Sequence, residues 1–105
     1  MIYANDSSFS KEVLLEWLPV LLEFFTPTCQ PCRQIEPWLQ KLEFDVAGRV
    51  KIVKMDSTKS PLTSKFYGVR IAPTIMIFKN GDVLRTIQGK PPTPQHIYDL
   101  IGPYL

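Results

Sequence analysis

The chain is 105 residues long, 45% apolar and 21% charged, with 12 basic and 10 acidic side chains that leave a net charge of +2. That length is read as one domain, residues 1–105, built on a single core. So slight a charge excess argues against nucleic acid or a membrane surface as the main partner, and the longest apolar run, Trp17–Leu22 interrupted by Pro19, is far short of the ~20 residues of a membrane helix.

Near the amino end, Asp6, Ser7 or Ser8 is placed to cap a first helix with Phe9, Val13, Leu14 and Trp17 on one side, ended by Pro19. Val20–Phe25 is apolar except for Glu23, the signature of a strand covered on both faces, as in a parallel sheet. After the turn Thr26-Pro27-Thr28, a helix opens near Pro31. Its apolar positions Ile35, Trp38, Leu39, Leu42 and Val46 recur at helical spacing, Gly48 closes it, and Pro37 should kink it. Trp17 and Trp38 are read as core residues.

Val50–Met55 is the next strand, parallel to the first because a helix separates them. Ser57 or Ser60 starts a short helix through Leu62 and Phe66, which Gly68 ends. Thr74–Phe78 and Val83–Ile87 flank Asn80-Gly81, the strongest short-range signal of a hairpin. Thr93-Pro94 then caps and opens a last helix through Ile97, Leu100 and Ile101. The order α-β-α-β-α-β-β-α implies an α/β fold, a central mixed β-sheet flanked by helices on both faces.

Both cysteines lie in Cys29-Gln30-Pro31-Cys32, between a strand and a helix. Two thiols at this spacing form a redox pair, a structural disulfide or simply two buried thiols, and the strand–turn–helix setting favours the redox pair. Free N–H groups and the positive end of the helix dipole favour a thiolate at Cys29, the attacking group. Cys32, one turn further in, is shielded and suits the resolving role. Pro31 and Gln30 shape the ring between them. Glu23 sits inside an apolar strand, where burial should raise its pKa. Lys54 shares strand parity with Val50 and Ile52, so it either pairs with Glu23 or lays its stem over the core and reaches solvent. His96 has no local partner and reads as an exposed helical residue. Two cysteines and one distant histidine do not make a four-ligand zinc site, so no metal is expected, and no glycine-rich phosphate cradle is present. The amino end has neither a basic leader nor an apolar stretch, from which a cytoplasmic location is expected.

From about Phe9 to Leu105 the chain resembles the thioredoxin family. The resemblance rests on Glu23-Phe24, Cys29-x-Pro31-Cys32-Arg33, Pro37, Lys54, Tyr67-Gly68-Val69-Arg70-Ile71-Ala72-Pro73-Thr74, Phe78-Lys79-Asn80-Gly81 and Gly89. It implies a thioredoxin fold and a monomeric protein that reduces disulfides in partner proteins. The electrons reside on the two sulfurs with no bound cofactor, and a disulfide reductase acts as electron donor. It also implies a cis peptide bond before Pro73, docking of the substrate strand on the backbone of Ala72, and proton relay to Cys32 by Glu23, with Lys54 nearby.

Several positions depart from the family pattern. Thr28 replaces the usual tryptophan before the first cysteine, Phe25 replaces another on the strand, and Gln30 replaces glycine. Gln88 and Lys90 flank Gly89, so the substrate-docking rim of Thr28, Gln30, Ala72, Pro73, Gln88 and Gly89 is expected to be more polar than usual. The function read from the sequence is a thiol–disulfide oxidoreductase acting as a reductant. Its alternatives are a disulfide oxidant or isomerase and a non-catalytic interaction module of the same fold.

Overall fold

The computed structural model describes residues Met1–Leu105. Its strands are β1 (Ile2–Ala4), β2 (Val20–Phe25), β3 (Lys51–Asp56), β4 (Thr74–Lys79) and β5 (Asp82–Gln88). A short helical turn at Ser10–Leu14 precedes the three α-helices α1 (Gln30–Asp45), α2 (Pro61–Phe66) and α3 (Pro94–Ile101), with a closing turn at Gly102–Tyr104. The sheet order is β1-β3-β2-β4-β5. β1 and β2 both run parallel to β3, β4 runs antiparallel to β2, and β5 returns antiparallel to β4. A mixed sheet was expected; its edge strand β1 was not, because three residues are too few to show a period.

The continuous apolar runs of β2 and β4 follow from their central places, where each face of the sheet must be covered. On one face Leu21, Ile52, Ile75 and Ile77 meet Ile35, Leu39 and Leu42 of α1 and Ile97 and Ile101 of α3. On the other, Leu22, Phe24, Val53, Met55 and Phe78 pack against Phe9 and Val13, with Tyr67 and Val69 alongside. At the β4–β5 turn, Asn80 (φ 53°) and Gly81 (φ 82°) both take the positive φ that a two-residue hairpin of this kind demands.

Three expectations need correction. The first helix is only Ser10–Leu14, closed by a bond from the Leu15 N–H to the Ser10 carbonyl at 2.9 Å. Trp17 therefore falls beyond it and is 83% exposed rather than core, its carbonyl and ring both facing the Lys79 ammonium. Asp6 does not cap that helix. Its carboxylate instead accepts hydrogen bonds from the N–H groups of Leu62 (3.1 Å) and Thr63 (2.9 Å) at the start of α2, where Ser60 makes no side-chain cap. Thr93 likewise makes no side-chain bond to the backbone of α3; its hydroxyl meets His96 Nδ1 at 2.8 Å. α1 continues through Pro37 to Asp45.

Candidate active site

β2 delivers the chain to a turn in which the Cys29 N–H bonds the Thr26 carbonyl at 3.2 Å. The Arg33 guanidinium donates to the Pro27 carbonyl at 3.0 Å, tying this turn back onto α1. Cys29 is the extended residue just before the helix, and Pro31 occupies the first turn, where a missing N–H costs nothing. Cys29 and Cys32 are joined as a disulfide with Cα atoms 5.3 Å apart. The Cys32 N–H also points at Cys29 Sγ, 3.1 Å away, so the helix amino end is aimed at that sulfur. The two sulfurs differ in access: Cys32 is 5% exposed and Cys29 is half-buried.

Both cysteines open onto a cavity of about 480 Å³ whose wall includes Tyr3, Phe25, Glu36 and Lys54. Lys54 is buried, with its ammonium 4.8 Å from the centre of the Phe25 ring and 5.4 Å from that of Tyr3. It faces two carboxylates. Glu23, its register partner on β2, lies 3.6 Å away, and Glu36 of α1 accepts a hydrogen bond from it. Burial works against the Lys54 cation, but the Glu36 hydrogen bond and the two negative charges outweigh it and hold its pKa above the usual lysine value.

Glu23 is fully buried and neither of its oxygens accepts a hydrogen bond. Burial pushes its pKa from 4.5 up to about 7; the Lys54 charge pulls the other way, and the Glu36 charge adds to the rise. The pairing of Glu23 with Lys54 was one of two readings of the sequence, and the burial of both side chains decides for it. Glu36 was missed. Its signal is its place four residues after Cys32, hence on the same side of α1. Tyr3 and Phe25 were also missed as neighbours of Lys54, the former because β1 was unseen.

The remaining site residues lie outside this cavity. Thr28, Gln30 and Pro31 are exposed around the disulfide. Ala72 and Pro73 are joined by a cis peptide bond just before β4, whose first residue, Thr74, pairs with Phe24 at the end of β2. The Ala72–Pro73 loop therefore sits at the end of the sheet from which the cysteine turn departs. Gln88 pairs with Thr74, and the Gly89 N–H donates to the Pro73 carbonyl at 2.8 Å, so Gln88 and Gly89 are fastened to that loop.

The family model described as thioredoxin matches residues 1–101. The chain is 40% identical over 95 residues to thioredoxin of Haemophilus influenzae, covering 90% of this chain and 89% of the relative. It is 40% identical over 88 residues to thioredoxin of Synechocystis sp., covering 84% and 82%, and 46% identical over 77 residues to thioredoxin of Rickettsia conorii, covering 73% of each.

Proposed function

The chain belongs to the thioredoxin family, and on that premise we propose how its residues divide the work. It is a thiol–disulfide oxidoreductase that reduces disulfides of partner proteins through the reversible Cys29–Cys32 pair. In the dithiol form the Cys29 thiolate attacks one sulfur of a substrate disulfide. A mixed disulfide forms, and the other substrate sulfur leaves as a thiolate that takes up a proton. Cys32 then gives its proton to the Glu23 carboxylate and attacks Cys29 Sγ, expelling the second substrate thiolate. Two electrons have passed to the substrate, and the Cys29–Cys32 disulfide remains.

The observation that carries this reading is the asymmetry of the pair: a reachable sulfur at the helix amino end and a buried one directly behind it, on a shared cavity. Burial of Glu23 with neither oxygen hydrogen-bonded supports it as the proton acceptor, with a pKa near neutrality. The Ala72–Pro73 loop, fastened by Gly89, is the docking edge for the substrate strand, and Thr28, Gln30 and Gln88 form its polar rim. The protein acts as a monomer in the reducing cytoplasm, where a disulfide reductase returns it to the dithiol.

Turnover of a disulfide-bonded protein with a dithiol donor tests the reading. Wild type turns over, and Cys32→Ser instead accumulates a mixed disulfide through Cys29. A non-catalytic module would show neither behaviour.

A further inference from the structure

Lys54 lies between two carboxylates and does not share itself evenly. The ammonium donates a hydrogen bond to Glu36, while both oxygens of Glu23 have none although Glu23 is the more deeply buried of the two. Glu36 stands one helical turn beyond Cys32, on the wall of the cavity that both sulfurs share, and its side chain is 26% exposed. Glu23 is absent from that wall. The Phe25 and Tyr3 rings beside the ammonium offer only their faces, so a carboxylate decides where its hydrogen bond goes.

We propose that Glu36 is a positioning residue of the redox site: it anchors the Lys54 ammonium at the cavity wall and so keeps Glu23 free of a hydrogen-bond donor. A buried carboxylate without a donor holds a proton more tightly than one bonded to an ammonium. That is the property needed of the group that takes the proton of Cys32, so the inference rests on the assignment of Glu23 made above. Glu36 exchanges no proton with either sulfur. The charged and titratable groups around Glu23 are few: Lys54 from β3 and Glu36 from α1, with Tyr3 of β1 over the lysine. Arg33, also on the cavity wall, is committed to the Pro27 carbonyl, and the Glu23 partner on β4 is the uncharged Ile75.

The test is a carboxyl-carbon NMR titration of the oxidised protein, labelled on glutamate, with the Glu23 signal identified by its loss in Glu23→Gln. In Glu36→Met, which leaves no oxygen acceptor at that position, the ammonium turns to Glu23, and the Glu23 midpoint falls by about one pH unit, tenfold in proton affinity. In a Lys54→Met background the same substitution moves the midpoint much less, because no ammonium is left to redirect. An unchanged or raised midpoint in Glu36→Met overturns the proposal. So does an equal fall with and without Lys54, since Glu36 would then act by its charge alone. The relay is judged separately: if the midpoint falls as expected but Glu23→Gln reduces disulfides at the wild-type rate, the anchor stands and the role of Glu23 is what fails.

Discussion

Glu23 and Lys54 face each other in register across the parallel strands β2 and β3, with Lys54 Nζ 3.6 Å from Glu23 Oε1, yet no hydrogen bond joins them. An ion pair at this distance recovers only part of the free energy lost when the carboxylate leaves water. The acid therefore stays protonated into the neutral range, its pKa at about 7 instead of 4.5.

This has a consequence for stability. Between pH 4.5 and about 7 the folded chain holds a proton on Glu23 that the unfolded chain has released. Stability from this group is thus fully present below pH 4.5 and is lost as pH rises through about 7. At roughly 1.4 kcal/mol per pH unit, the loss amounts to about 3 kcal/mol. Glu23→Gln removes the titrating group and keeps the volume. Urea unfolding of the oxidised proteins should show the variant gaining on wild type across that window, while parallel pH profiles would mean that Glu23 does not titrate there.

The unequal access of the two sulfurs sets a second expectation. After reduction, a small alkylating agent should modify Cys29 well before Cys32 while the fold is intact, because Cys29 is half-buried whereas Cys32 is 5% exposed. Mass spectrometry of the digested product identifies the modified site. Equal labelling of both cysteines in the native protein would contradict the division into attacking and resolving thiols.

Most of the frame was legible because it depends on local rules. The apolar run Val20–Phe25, the Asn80-Gly81 turn and the helical spacing of Ile35, Leu39 and Leu42 each specify an element by themselves, and the structure has all three. In the site, the cysteine pair and the strand parity of Lys54 were equally local. What escaped depends on contacts between distant segments. β1 gains its meaning only from pairing with β3, Asp6 reaches across to α2, and Glu36 matters because β3 brings Lys54 beneath α1. Trp17 misled because its spacing from Val13 suits a helix that stops at Leu14.

Asp6 supplies a third prediction. Its carboxylate accepts bonds from two backbone N–H groups of α2 and from the Thr63 hydroxyl, and the hydroxyl bond foremost holds its pKa below 3.8 against the opposing effect of burial. A depressed acid contributes stability that is present above its unfolded value and lost as pH falls through its folded one. Asp6→Ala should lower the melting temperature at pH 7, and the deficit should shrink as the pH drops below 3.8, when wild type also loses the carboxylate. A deficit constant with pH would point to packing rather than to the cap.

Gly89 makes the last case. Its φ of +85° lies where L-residues are strained, while an added Cβ would stand 3.7 Å from Ile71 Cδ1, an ordinary contact. The obstacle to a side chain is therefore the backbone, and Gly89→Ala should cost about 1–2 kcal/mol in urea unfolding. The same N–H that this conformation directs at the Pro73 carbonyl fixes the Ala72–Pro73 loop. Relaxing the strain moves that donor and loosens the loop proposed to dock the substrate strand. The variant should raise KM for disulfide-bonded proteins much more than it lowers the rate of Cys29 alkylation, which needs no docking edge. If KM rises and the alkylation rate falls by the same factor, Gly89 supports the cysteine turn instead; if KM is unchanged, the Ala72–Pro73 loop does not bind substrate.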